Sequence, residues 1–255
     1  LLCFTASEAQ VGSYFSKFRP SKKWSVGLQI SPTVLNGDVD NSNLGISGGA
    51  HIKYSISQSF GLKLNGDIGV LNGERASEAY EVTNKFKDLN INAVYTLGNI
   101  SFIRPLREVQ MFTFFGVGAI WSDATGTFED LANADTYYKE RNLTIPFGMG
   151  LKRNFGEWLD LGLEWRTQWV RSDDLDGFNF PVTANRFSDF YTIVGLQASI
   201  KLGAKGQDKH YDWLNPMETI YADLDTLKEV TNKLKILLED ADGDGVNDFT
   251  DSEAE

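Results

Sequence analysis

The chain has 255 residues, enough for one large domain or two ordinary ones; 42% are hydrophobic, 13% aromatic, and the formal net charge is −11. An acidic chain with no basic stripe argues against nucleic acid as a partner. That much aromatic surface must be buried or face something other than water, and no run reaches the roughly 18–20 apolar residues of a transmembrane helix, a test to which membrane strands do not respond.

The charge is lopsided. Residues 203–255 carry 14 acidic and 5 basic side chains, a net −9, leaving −2 for residues 1–202; the step marks a boundary near Gly203. A single cysteine, Cys3, excludes an internal disulfide and a thiolate metal cluster. The opening LLCFTASEAQ has the form of the end of a secretory signal peptide, with small residues at Ser7 and Ala9 and Gln10 as the new N-terminus. Residues 1–9 are therefore read as a signal-peptide remnant and 10–22 as an N-terminal periplasmic segment. A lipidated Cys3 competes with this, but Leu1-Leu2 suits that chemistry poorly.

From Trp24 the dominant period is two, the strand signature. In WSVGLQI, Trp24, Val26, Leu28 and Ile30 share a face; in LGISGGAHIKYSI, Leu44, Ile46, Ala50, Ile52, Tyr54 and Ile56 do. FGLKLNGDIGV sets Phe60, Leu62, Leu64, Ile68 and Val70 against Lys63, Asn65 and Asp67, and LNINAVYTL sets Leu89, Ile91, Ala93, Tyr95 and Leu97 against asparagines. VQMFTFFGVGAIW, LTIPFGMGL, LDLGLEWRTQW and FYTIVGLQASIKL continue the pattern. Most of these eight segments run 9–13 residues, against about five or six in globular sheets and roughly 9–11 for a tilted crossing of a bilayer.

Short turns (SQS, RNFGE) alternate with long polar connections (NGDVDNSN, NGERASEAYEVTNK, SDATGTFEDLANADTYYKER, SDDLDGFNFPVTANRFS), with GNISFIRPLRE intermediate. Short turns on one rim and long loops on the other fit a membrane barrel. The sequence thus predicts an all-β, eight-stranded antiparallel transmembrane β-barrel over residues 23–202, followed by a C-terminal periplasmic helix and a calcium-binding loop. A soluble barrel or sandwich would invert the two faces.

An eight-stranded interior is just wide enough for side chains, and a charge there must be paired. Glu164 and Arg166 suit an interior ion pair, with Lys63, Asp67 and Lys53 joining them. Trp24, Phe60, Trp121, Trp158, Trp169 and Phe190 fall near strand ends, where interfacial aromatics sit. Pro146 removes a ladder donor inside the sixth strand, so a bulge is expected there. Phe112 and Phe114 point inward and argue against an open pore.

After a linker at 203–215, the period changes. Asn215-Pro216 form a plausible cap and first helical position. Ile220, Leu224, Leu227, Thr231, Leu234 and Leu238 then recur as a short heptad stripe over a helix at 216–238. The stripe either docks on the barrel rim or a following domain, or zips protomers into a homo-oligomer.

The final stretch, 239–255, contains DADGDGVNDFTD. Carboxylates this dense repel unless a cation neutralises them. Ca²⁺ takes oxygens from positions 1, 3, 5, 7, 9 and 12 of a twelve-residue loop, with Gly at 6. Asp240, Asp242, Asp244, the Val246 carbonyl, Asp248 and Asp251 fill those positions around Gly245, with Asp in place of the usual Glu at the twelfth. Mg²⁺ fits less well because it resists dehydration.

The spacing Asp-x-Asp-x-Asp-Gly-x-x-Asp-x-x-Asp resembles a thrombospondin type 3 repeat. With the signal-like start and the barrel, the chain is similar to the OmpA-like outer-membrane family of the Bacteroidota. That resemblance implies a further C-terminal peptidoglycan-binding domain, whose residues cannot be placed here. It also implies a location in the cell outer membrane with both termini in the periplasm, and a structural tether between membrane and wall, with outer-membrane lipid and peptidoglycan as partners. The alternatives are a small pore or a surface binder acting through its loops. An enzyme is not expected: His51 and His210 are the only histidines, and His51 beside Ser47 and Ser55 reads as an interior hydrogen-bonding group.

Overall fold

The computed structural model describes residues 21–36, 41–75, 80–97, 108–128, 136–171, 175, 189–204, 207, 209–215 and 217–237. The chain divides into two units, Pro20–Leu214 and Leu1–Arg19 with Asn215–Glu255.

The first unit is a closed barrel. Its strands are β1 (Trp24–Asn36), β2 (Asn41–Asn43), β3 (Gly45–Ser55), β4 (Phe60–Arg75), β5 (Tyr80–Leu97), β6 (Val109–Phe128), β7 (Thr136–Phe155), β8 (Leu159–Val170) and β9 (Phe190–Leu202). Only Leu44 separates β2 from β3, and both pair with β4, so they form one stave. The eight staves run β1–β3–β4–β5–β6–β7–β8–β9, antiparallel throughout, and β9 returns to β1 to close the ring. Closure leaves no unpaired edge through the spanning region.

The alternation is inside out relative to a water-soluble protein. Leu28, Ile46, Phe115, Val117, Leu143 and Leu196 stand 58–69% exposed on the outer face, while Asn65, Asn90, Asn92, Arg166 and Gln168 are at most 1% exposed inside. The outward positions of the spanning rows, such as Leu89, Ile91 and Ala93 on β5 or Leu143, Ile145, Phe147 and Met149 on β7, carry no charge among the described residues. A Lys or Arg there would cost about 2–4 kcal/mol at the bilayer midplane. Aromatic pairs mark the turn end: Trp24 against Tyr54 with ring centroids 4.7 Å apart, and Phe60 against Tyr95 at 4.8 Å. Gly156, at φ 79°, makes the tight turn between β7 and β8 that a side chain would strain.

Two expectations are corrected. Pro146 carries no bulge. Phe115 pairs with Phe147 and Gly118 with Thr144, so the register is the same on both sides, and only the intervening rungs are missing. Pro146 keeps its place opposite Gln168 on β8; staves on both sides hold the register although the proline lacks a donor. Second, two of the expected long polar loops are mostly strand. β4 climbs to Arg75, β5 starts at Tyr80, β6 reaches Phe128 and β7 starts at Thr136.

These taller parts have the opposite polarity. Leu71, Val82, Phe86, Ile120 and Ala124 point inward and are at most 2% exposed. Lys85, Lys87, Asp123, Lys139 and Arg141 point outward. The apolar face changes sides between Leu89 and Phe86 on β5, which locates the edge of the bilayer.

In the second unit, Glu218–Leu237 forms helix α1. The Asn215 side chain accepts the Met217 amide at 3.1 Å. Ile220, Leu224, Leu227 and Leu234 of the heptad stripe are 37–61% exposed.

Candidate functional site

The barrel lumen is filled in layers. In the middle, β4 and β8 stand four staves apart, diametrically opposite. Lys63 and Asp67 reach from β4, and Glu164 and Arg166 reach from β8. The Lys63 ammonium donates to Glu164 at 2.6 Å, and the Arg166 guanidinium donates to Asp67 at 2.6 Å. Glu164 lies only 3.9 Å from Arg166 Nε, so the main pairs cross the lumen instead of running along one strand. Residues two apart on a strand project side by side, whereas opposite staves project toward each other. All four side chains are at most 5% exposed.

Further bars join the same layer. Asp67 also accepts from Gln29. Asp88 on β5 accepts from Tyr191 on the opposite stave β9 at 2.7 Å and from Gln168 at 2.6 Å. Thr144 donates to Asn90 at 3.0 Å. Breaking a buried ion pair from one side typically costs about 3–5 kcal/mol, so these bars fix the relative height of the staves they join.

Toward the turn end, Phe112 and Phe114 enter the lumen. Each ring lies over a glycine on β7: a Cβ at Gly150 would collide with Phe112, and one at Gly148 would meet Phe114 at 2.7 Å. His51 Nε2 is 2.9 Å from Ser199 Oγ. A cavity of about 30 Å³ beside His51, Lys53, Lys63 and Asp212 has room for about two waters.

Below these, residues read from sequence as linker fold back as a plug. Lys22 forms a parallel bridge with His210: its amide donates to the Lys209 carbonyl, and its carbonyl accepts from Tyr211, both at 2.9 Å. Tyr211–Trp213 form one 3₁₀ turn. Asp212 sits between the opposite staves β3 and β7, taking Lys53 and Lys152, each at 2.5 Å, and the Ser55 hydroxyl at 2.7 Å. Its carbonyl accepts from Gln110 at 2.6 Å. The Trp213 indole donates to Asp160 at 3.0 Å, and the Lys152 and Lys201 ammoniums lie 5.4 and 5.8 Å from its ring centroid.

Burial would raise the Asp212 carboxyl, but Lys152 and Lys53 outweigh it and hold the group well below the usual carboxylate range. His210 is depressed to about 4, chiefly by burial, with Asp212 opposing and the nearby lysines adding. Its Nδ1 accepts the Asp212 amide at 3.2 Å, so the neutral ring is the one that caps the turn.

The loop end is closed by hydrocarbon. Leu175, 1% exposed, drops among Leu35, Leu71, Val82, Phe86, Ile120, Val170 and Tyr191. Its amide donates to Asp189 at 3.0 Å and its carbonyl accepts from Asn84 at 2.6 Å.

Of the sequence-read residues, Lys63, Asp67, Glu164 and Arg166 thus meet in one layer, and Lys53 serves the plug instead. Asp240, Asp242, Asp244, Val246, Asp248 and Asp251 lie outside the described residues. Sequence reasoning missed the plug, Asp88 with Tyr191, and Leu175. The signal for the plug was two aromatics, Tyr211 and Trp213, in a stretch taken for free linker.

A family model described as "Outer membrane protein beta-barrel domain" matches residues 1–187. Among solved structures, Neisserial surface protein A is 13% identical with a TM-score of 0.46, covering 70% of this chain and 97% of its own. The N-terminal β-barrel domain of OprF from Pseudomonas aeruginosa is 13% identical with a TM-score of 0.41, at 70% and 97% coverage. A major outer membrane protein from Thermus thermophilus is 9% identical with a TM-score of 0.46, at 70% and 99%. No curated protein matches.

Proposed function

Because this chain belongs to the outer membrane protein β-barrel family, we propose that it is a sealed outer-membrane anchor whose tail runs inward as a tether to the cell wall. The observation that carries this reading is the filled lumen: among the described residues, cross-barrel ion pairs, Phe112 and Phe114, and the Asp212 plug stand across the path a pore would need, beside a cavity of about 30 Å³. A barrel spending its interior on paired charges is a rigid post.

Both ends of the barrel chain, Lys22 and Gly203, leave at the turn end. In this reading that end faces the periplasm. Helix α1 and the DADGDGVNDFTD loop follow, and Ca²⁺ held by Asp240, Asp242, Asp244, Val246, Asp248 and Asp251 stiffens the spacer by neutralising its carboxylates. A peptidoglycan-binding domain downstream, as in OmpA-like proteins of the Bacteroidota, would complete the tether.

Two measurements test it. In planar bilayers the folded protein is expected to pass little current; steady open steps would support the small-pore reading instead. With a chelator, trypsin is expected to cut faster at Lys233 and Lys235 while the barrel keeps its heat-modifiable migration. Cutting that ignores calcium would remove the stiffened tether.

A further inference from the structure

The outer wall of β5–β8 carries a feature that a uniform lipid-facing barrel does not need. Lys87, Trp121 and Arg141 occupy one row, paired Lys87 to Trp121 and Trp121 to Arg141. The next row up is Lys85, Asp123, Lys139. Arg171 donates its amide to the Leu143 carbonyl, one row below Arg141. Among the described residues, five cations therefore stand around one carboxylate on the outward face, and Asp123 reaches Lys139 only at 4.0 Å. The patch stops at β5: toward β4, the positions paired with Lys85 and Lys87 are Val70 and Ile68.

Directly beneath the patch lies a groove of about 440 Å³ on the same outer wall, lined by Val117, Leu143, Ile145 and Trp169 with Arg171 at its rim. It coincides with the rungs that Pro146 removes from the β6–β7 ladder. An apolar groove under a cluster of cations drawn from β5, β7 and the end of β8, at the height where the apolar face changes sides, matches an amphiphile with more than one phosphate on its head. Arg binds phosphate in a bidentate fork, and basic side chains at a membrane surface favour anionic lipid.

We propose that this face holds a membrane lipid with a multiply phosphorylated head, with an acyl chain in the Val117–Leu143–Ile145–Trp169 groove and phosphates on Lys87, Arg141 and Arg171. The proposal rests on the anchor reading, which turns the loop end to the cell exterior. Its occupant is a lipid, not free phosphate, because groove and cations are contiguous.

The test uses the full chain folded in detergent, with native mass spectrometry against diphosphorylated lipid A, phosphatidylcholine and inorganic phosphate. Lipid A is expected to stay bound where phosphatidylcholine does not. The combined variant Lys87→Gln, Arg141→Gln, Arg171→Gln should lose at least about tenfold of that retention while migrating as a folded barrel, and Arg153→Gln, a cation at the turn end, should lose none. Val117→Trp, which fills the groove without touching charge, should also weaken lipid A. Equal retention of phosphatidylcholine, no loss in the triple variant, or full displacement by millimolar inorganic phosphate with Val117→Trp unaffected would each overturn the site. A chain that does not fold in detergent at all would instead remove the anchor reading, so the two failures are distinguishable.

Discussion

The two ends of the barrel are closed by opposite chemistries. At the loop end a single leucine, Leu175, enters a cluster of aliphatic and aromatic side chains. At the turn end a single carboxylate, Asp212, enters between two lysines from opposite staves. The first closure draws on apolar burial, which is nearly indifferent to salt and pH. The second draws on charge, which works only while Asp212 is ionised and His210 neutral. The end bearing the plug can therefore be released by a change in solution that leaves the other end shut.

Asp212→Ala should have the largest effect, because it strands Lys53 and Lys152 without a partner; about 3–5 kcal/mol of plug docking should be lost. Trypsin cleavage after Lys209 would report release, with the barrel still resistant to detergent and, because the central ion pairs and the Leu175 cluster stay in place, still passing little current in planar bilayers. Continued protection of Lys209 would mean that Tyr211 and Trp213, not charge, hold the plug. Leu175→Ala should cost about 3 kcal/mol by leaving a void in the apolar cluster, seen as faster hydrogen exchange at Leu175 and Val170, and it should leave cleavage at Lys209 unchanged.

Acidification should have the smallest effect and act on one end alone. The undocked His210 ring takes a proton near 6.5, whereas the docked ring resists until about 4, so docking strength present above pH 6.5 declines as pH falls toward 4. Between pH 7 and 5 the loss is on the order of 1–2 kcal/mol. Asp212, held well below the usual carboxylate range, adds its own loss only at still lower pH. Lys209 cleavage against pH should show the first phase, His210→Gln should abolish it, and the protection factor at Leu175, with the intrinsic pH dependence of exchange divided out, should stay flat.

The spanning part of the barrel was legible because lipid and lumen impose a strict period of two. Trp24 to Ile30 or Leu159 to Trp169 could hardly be read otherwise. The interior charges were legible as a set, since Lys63, Asp67, Glu164 and Arg166 are too costly to leave unpaired, but not as pairs, because sequence gives spacing along a stave and not the direction across the lumen. The tall outer parts of β4–β7 were read as loops for a different reason. Once the outer face meets water, Lys85, Lys87, Lys139 and Arg141 are as suitable there as in a loop, and the alternation changes sign within one strand. Leu175 and the Tyr211–Trp213 turn are tertiary returns of single residues, which periodicity does not encode.

The unequal stave heights leave β7 standing above its neighbour. β8 pairs with β7 only from Thr144 downward, so among the described residues the amides and carbonyls of Thr136–Asn142 on that flank have no strand beside them. A strand flank of that kind, wherever it stands open, is a template for adding a stranger's strand. It bears Lys139 and Arg141 on one face and Glu140, bound by Asn142 at 3.0 Å, on the other. Any incoming backbone would have to bring matching charges to both faces at once. That requirement guards a tall stave against polymerising with copies of its own protein.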